Sequence, residues 1–450
     1  MGILTGCGSS KTATKGLVEL TIASSNNAHG VSLDPRIDYT AGVPVSMGVC
    51  ETLFKLNNET LKVEPHLADT YTHPDEYTWE ITLRDGISFT SGEPLTAEAA
   101  KAALEYSLAG IERLDKILDL KSLEAEGQVL TIKTNSPAAT LPSLLTDAST
   151  IIYDTKAGSD YARQIVGTGP YILESMDDEG NCELVKNKAY WQGEPAADLV
   201  HTKWITNGNA LALALQSGEL DYAEIAPADM PLFENKADYQ VTGYDSHRTY
   251  FLFLNPENTF TTDPALRKAL CYSIDRDSYI ASIFNGNGTK TTACFPAWSG
   301  FSADISAEDY DLEKAKQILS VAGYQDSNGD GNLEKDGKEV SLSLMTYAGN
   351  PEFPVLCEVI QDQLATLGIH SEIVVSDGIV NDLKKGNWNI ATYGYNTLSL
   401  GDSYNFLQPV FYTDAFSNFT HFSNPQVDAL LDEMKETADM EKRKELSIEV

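Results

Sequence analysis

The residues best arranged to do chemistry in this 450-residue chain lie in the run Asp326-Ser327-Asn328-Gly329-Asp330-Gly331-Asn332-Leu333-Glu334. Asp326, Asn328 and Asp330 occupy positions one, three and five of a calcium loop, Gly331 supplies the sharp turn at six, and Asn332 stands at seven. Position twelve is Gly337, where a bidentate Glu belongs, and Asp336 comes one residue early. A solvated turn between a helix over 311–322 and a strand over 339–344 explains the same composition without metal. Structural calcium and a bare turn therefore both stand. No other stretch has the spacing of a catalytic or metal site: GxSxG, HExxH and P-loop patterns are absent, and the seven histidines are scattered singly. Carboxylate pairs such as Asp177-Asp178 read as solvated surface in so acidic a chain. Binding is expected rather than catalysis, and a secreted hydrolase is a distant rival that lacks a nucleophile.

Charge narrows what is bound. With 32 basic against 66 acidic residues the net charge is −34, so a phosphate backbone is repelled and nucleic-acid binding is excluded. A length of 450 residues with 42% hydrophobic content is enough for two or three domains with their own cores. Besides Cys7 there are Cys50, Cys182, Cys271, Cys294 and Cys357, with no CxxC spacing, which argues against a zinc ribbon and leaves disulfide pairing open. Leu4-Thr5-Gly6-Cys7 has the form of a lipobox, in which cleavage before Cys7 leaves a thiol to be acylated. Gly8 to Gly16 is a polar tether. Only six residues precede Cys7, fewer than the charged and apolar parts of a leader need, so part of the leader is expected to be missing. No later stretch approaches the roughly 18 apolar residues needed to span a bilayer.

The elements that must position any site read most clearly around Leu83 to Glu98. Trp79, Ile81 and Leu83 alternate with Glu80 and Thr82, the period of a half-buried strand. Asp85-Gly86 and Ser91-Gly92 supply turns. Thr96 and Glu98 open a helix with Ala100, Ala103, Leu104 and Leu108 on one face. Leu83-Arg84-Asp85-Gly86-Ile87-Ser88-Phe89 through Glu98 is followed by Gly167-Thr168-Gly169-Pro170-Tyr171, Asn187-Lys188-Ala189-Tyr190-Trp191, Ala214 through Asp221, Leu266-Arg267-Lys268-Ala269-Leu270 and Phe422-Ser423-Asn424-Pro425. In this order the tags resemble family 5 of the bacterial extracellular solute-binding proteins, the peptide/nickel class, over roughly residues 20 to 450.

That resemblance implies an α/β architecture: the two-lobed periplasmic-binding-protein fold (type II, cluster C) with an extra small domain in the first lobe. Residues 17–258 would form lobe I with an insert at about 60–185, and 259–450 lobe II, the passage coming after the aromatic strand Tyr250-Phe251-Leu252-Phe253-Leu254. A first strand is expected at Leu20 to Ala23. Val427, Leu430, Leu431 and Met434 mark a late helix, with a second over 441–449. The family's return to the first lobe lies beyond this sequence, so the chain is expected to be truncated.

The resemblance also implies a monomeric, lipid-anchored extracytoplasmic receptor that delivers a small molecule to the permease subunits of an ABC transporter and needs no cofactor. Its ligand residues would come from the loop after the first strand, with His29, from Arg248 and Trp298, and from Tyr395, Asn396, Ser399 and Asp402. Peptide-binding members carry an Asp seven residues before the Phe that here is Phe406. That position is Ser399, and Asn396 stands where they often carry Trp. Asp402 reflects either a local shift or a structural turn. The departure favours the nickel branch, with His29 offering an imidazole to a metal chelate and Arg248 a fork for its carboxylates. Short peptides remain the alternative. The lipobox predicts that protein made in its host from the longest reading frame takes up a fatty-acid label and fractionates with membranes. Cys7→Ala should abolish the label and release the protein, and an unlabelled wild type would count against the anchor.

Overall fold

The computed structural model of the chain describes residues 17–24, 32–37, 40–158, 160–234, 236–305, 309–348 and 352–450. They fall into two compact units that divide after Gly243. No helix among the described residues is long and apolar enough to cross a membrane. The five cysteines among them are free thiols.

In the first unit β1 (Glu19–Ser24) begins where the sequence places it. The chain then passes through α1 (Gly42–Ser46) into a hairpin of β2 (Phe54–Asn57) and β3 (Lys62–Pro65). Next come β4 (Ala68–Asp75), β5 (Thr78–Leu83), α2 (Ala97–Leu108), α3 (Glu112–Leu118), β6 (Leu120–Glu126), β7 (Val129–Thr134) and α4 (Leu141–Leu144). The four strands form an antiparallel sheet in the order β4-β5-β7-β6. β5 lies inside it because Trp79, Ile81 and Leu83 point the same way and are all buried. Helix α2 starts where the Thr96 hydroxyl accepts from the Ala99 amide at 3.2 Å. Its alanines, Ala100 and Ala103, let it pack closely on β6 and β7 with Leu104.

The later strands depart from expectation. β8 (Tyr171–Met176), β9 (Cys182–Lys186), β10 (Leu199–Trp204) and, after α5 (Gly208–Gln216), β11 (Tyr222–Ala223) join β1 in a five-stranded sheet ordered β11-β1-β10-β9-β8. The insert expected at about 60–185 is therefore shorter. Its own sheet stops at Thr134, and residues 171–186 belong with β1 because β9 pairs antiparallel with β10 from Leu199↔Val185 to Thr202↔Cys182.

One buried carboxylate ties the pieces of this unit together. Glu51, between α1 and β2, accepts from the Thr168 hydroxyl at 2.7 Å, the Tyr190 hydroxyl at 2.8 Å and the Trp191 indole at 3.1 Å. His66 Nε2 lies 3.0 Å away. Thr168 precedes β8, Tyr190 and Trp191 follow β9, and His66 precedes β4, so segments flanking both sheets meet on two oxygens. Gly167 and Gly169 run so close beside this point that an added Cβ would fall 2.0 Å from the Val49 carbonyl oxygen and 2.2 Å from that of Gly48.

Burial raises the Glu51 carboxyl, but the hydrogen bonds of His66, Thr168 and Trp191 and the charge of His66 outweigh it and hold the group below the usual glutamate range. A lowered native pKa contributes stability that is complete above the unfolded value near 4.5 and is lost as pH falls through the native value. Glu51→Gln is therefore expected to destabilise the protein by about 1–3 kcal/mol at neutral pH. The gap from wild type should close below pH 4.5, as read by urea unfolding across a pH series.

The second unit opens with β12 (Arg248–Leu254) and continues through α6 (Pro264–Ser273), α7 (Arg276–Ile283), α8 (Leu312–Val321) and a hairpin of β13 (Glu334–Lys335) and β14 (Lys338–Glu339). Then follow β15 (Ser341–Tyr347), α9 (Glu352–Ala365), β16 (His370–Ser376), α10 (Ile379–Lys384), β17 (Ile390–Asn396), α11 (Tyr404–Phe411), α12 (Pro425–Glu436) and α13 (Met440–Glu449). The sheet order is β12-β17-β15-β16, with β15 parallel to β16 and β17, and β12 antiparallel to β17. The aromatic strand expected to close lobe I is thus the edge strand of the second unit, and the boundary lies at Gly243 rather than residue 258. The reason is seven consecutive pairs, from Arg248↔Asn396 to Leu254↔Ile390. One face of the sheet packs Leu252, Leu342, Leu344 and Ile390 against Phe353 and Ile360 of α9. The other gathers Phe251, Phe253 and Tyr393 around Trp388 and Phe419.

Candidate functional site

The carboxyl ends of parallel strands, where open α/β sheets place their ligands, collect several of the expected residues in the second unit. β15 ends at Tyr347 and β17 at Asn396, and antiparallel β12 brings its first residue, Arg248, opposite Asn396. Every other arginine has a hydrogen bond or ion pair to a carboxylate or carbonyl. The half-buried Arg248 guanidinium has none among the described residues and lies 5.7 Å from the Tyr250 ring. It runs across Gly394, where an added Cβ would stand 3.1 Å from Nη2 and 2.9 Å from the Phe353 ring. Burial pushes the Tyr347 hydroxyl up to about 12, against the opposing pull of the Arg248 charge. Tyr347 also packs on Phe353 and Tyr393, with centroids 5.2 and 5.7 Å apart. The result is a cation framed by aromatic rings, suited to a carboxylate.

The loop after β17 carries the next group. The Thr397 amide and hydroxyl both donate to the His247 carbonyl at 3.0 Å, which fixes the base of the loop to the start of β12. Asn396 and Ser399 are exposed, with the Ser399 amide donating to the Asn396 carbonyl at 3.3 Å. Tyr395 turns to the other face and packs on Phe406 at 5.1 Å. Asp402 is not a ligand group in this geometry. It is fully buried, and its two oxygens are held at 2.6 Å by Nε and Nη2 of Arg443 on α13. The structural-turn alternative for Asp402 therefore holds, and the reading of it as a shifted ligand Asp is set aside. Trp298, 45% exposed, stands on a 3-10 turn over Ala297–Ser299 in the same unit. That segment is tied to β12 by the Thr249 hydroxyl, which donates to the Cys294 carbonyl at 3.0 Å, and to α11 by a Phe295–Phe406 contact at 5.7 Å.

In the calcium-like loop the oxygens are already engaged. Asp326 accepts from the Gly329 and Gly331 amides at 2.7 and 2.9 Å, Asn328 from Asp330 at 2.8 Å, and Asp330 from Asn332 at 2.8 Å. Asp336 and Gly337, with φ of 53° and 75°, form the two-residue turn between β13 and β14 instead of returning to the loop. No group of three or more His, Cys, Asp or Glu among the described residues is placed to hold a metal. His29 and Cys7 lie outside the described residues.

Residues 62–418 match the family described as bacterial extracellular solute-binding proteins, family 5 Middle. The chain belongs to that family. It is 30% identical over its whole length to the nickel-binding protein NikA of Staphylococcus aureus, covering 88% of that protein. The crystal structure of the S. aureus NikA complex with Ni(L-His)2 superposes with a TM-score of 0.82 at 29% identity, over 96% of this chain and 90% of that one. The oligopeptide-binding protein AppA of Bacillus subtilis is 26% identical over 85% of this chain and 74% of its own length. The observed α/β units are those of the family fold, and the family is one of solute binders rather than enzymes.

For this family member, Tyr347, Phe353, Gly394 and Arg443 are the residues that sequence reading passed over. Gly394 carried a signal, since a glycine inside an aromatic strand marks close approach of another group. Because the 326–334 oxygens already accept from their own backbone and position twelve is lacking, calcium at millimolar concentration is expected to shift the melting temperature by less than about 2 °C relative to chelator-treated protein. A shift of about 5 °C or more in differential scanning fluorimetry would restore the structural-calcium reading.

Proposed function

We propose that this chain is the receptor component of an ABC importer, anchored through a lipid on Cys7, and that it captures nickel or another divalent metal as a chelate bearing carboxylates. The observation that carries this reading is the Arg248 guanidinium, which has no hydrogen bond or ion pair to a carboxylate or carbonyl among the described residues and lies instead against the Tyr250 ring. It differs in this from the other arginines, and a half-buried guanidinium at the ligand end of a sheet is best understood as reserved for an anionic group of the solute. The S. aureus NikA complex with Ni(L-His)2, a chelate of that kind, supports the same choice. His29, expected from the resemblance, would complete the coordination sphere. The solute itself is not chemically converted, and delivery rests on a different affinity for it in different states of the receptor.

A peptide is the poorer fit. Its ammonium group needs a carboxylate, yet Ser399 offers a hydroxyl, and Asp402, the acid of the same loop, is committed to Arg443. Burying an ammonium without a partner costs on the order of 2–5 kcal/mol relative to a paired site. Ni(II) with histidine is therefore expected to raise the melting temperature more than any member of a di- and tripeptide panel. Arg248→Ala should weaken the chelate by about ten- to a hundredfold in calorimetry, and His29→Ala should remove most of the thermal shift. Micromolar peptide binding with no response to the chelate would overturn the nickel assignment.

A further inference from the structure

Arg443 belongs to no motif of the sequence, yet it is the most completely enclosed cation of the second unit, 1% exposed beneath an Asp402 that is 0% exposed. Its guanidinium is used on three sides. Nε and Nη2 clasp the two Asp402 oxygens, and Nη1 donates to the carbonyls of Met434 and Thr437, which close α12. Asp402 in turn accepts from the Tyr404 amide at 2.8 Å, so the same carboxylate ends the 397–402 loop and starts α11. One helical turn along α13, the Ser447 hydroxyl donates to the Phe301 carbonyl at 3.3 Å. Between them, the stem of Lys444 lies against Gly300, whose φ of 78° turns the chain out of the Trp298 segment; an added Cβ there would be 3.5 Å from the lysine Cδ. One helix face thus underlies both loops whose exposed tips, Ser399 and Trp298, are expected to meet the solute.

We infer that Arg443 is a positioning residue for the solute site, joining the 397–402 loop and the Trp298 turn to a common base so that the two tips are held in one relative geometry. The inference rests on the site reading given above for Ser399 and Trp298. The pair touches no solute itself. A bidentate guanidinium–carboxylate pair fixes distance and orientation together, and a site is only as precise as the groups beneath it. The loops are therefore ordered before the solute arrives, and affinity depends on that order.

The test uses the full chain and three variants: Arg443→Lys, which keeps the charge but cannot clasp both oxygens; Asp402→Asn; and the paired change Arg443→Met with Asp402→Leu, which removes both charges and leaves neither uncompensated. Hydrogen–deuterium exchange is followed in solute-free protein, and binding of Ni(II) with histidine is measured by calorimetry. Amides of 397–403 and 298–302 should exchange on the order of tenfold faster in folded variants, while β15 and α8 keep wild-type protection. Affinity for the chelate should fall on the order of tenfold, chiefly through faster release. Arg443→Lys should lie between wild type and the paired change. A pair that only stabilises the fold would raise exchange across the sheet as well, and that result overturns the inference. So does a folded variant, Arg443→Lys included, with wild-type exchange in both loops and unchanged affinity. Should wild type bind no chelate, the proposed solute fails, and exchange in the two loops alone decides the role of Arg443.

Discussion

The antiparallel pairing of β12 with β17 is the constraint from which the second unit takes its shape. Seven pairs in register sort side chains onto two faces. Arg248, Tyr250 and Gly394 go to the face that meets α9, while Phe251, Phe253, Tyr393 and Tyr395 go to the face that meets Trp388 and Phe406. A slip of one residue would exchange the two sets and move the guanidinium from the face of Phe353 to the face of Trp388 and Phe419. The ladder continues past its last strand residue, because Thr397 donates twice to His247, and the loop that follows inherits its starting direction from the sheet.

Much of this arrangement is legible as periodicity. The alternation of Trp79, Ile81 and Leu83, the Thr96 cap, and the Val427, Leu431 and Met434 stripe all became the elements they suggest, because each is decided by neighbours within a few residues. Partners distant in sequence are another matter. An aromatic run such as Tyr250 to Leu254 looks the same whichever sheet receives it, and only β17, far along the chain, assigns it to the second unit. Residues 171–186 read equally well as part of an insert until β10 supplies their partner. Asp402 shows the limit most sharply, since a carboxylate in a loop gives no sign of facing water or an arginine 41 residues later. Arg443 left a faint trace: it shares a helical stripe with buried Leu446 and Ser447, where an apolar side chain would be the ordinary choice.

The two units solve the problem of buried charge in the same way and with different chemistry. Glu51 is satisfied by neutral donors and an imidazole from three different stretches of chain, so its carboxylate works as a knot. Asp402 is satisfied by one multivalent partner and works as a clasp. In both cases removal of one member would strand polar atoms in a dry interior, which costs more than the bond itself contributes.

Glu51 also marks a division of labour within the chain. Thr168, Tyr190 and Trp191, the residues it gathers, sit in two of the tags that carry the resemblance to the family, and none of them lies on the loops that bear Ser399 or Trp298. The Glu51 knot belongs to the first unit, and the loops expected to meet the solute belong to the second. A substitution at a loop tip can therefore change what the receptor holds without disturbing a hydrogen bond of the Glu51 knot, so the frame and the choice of solute are separable.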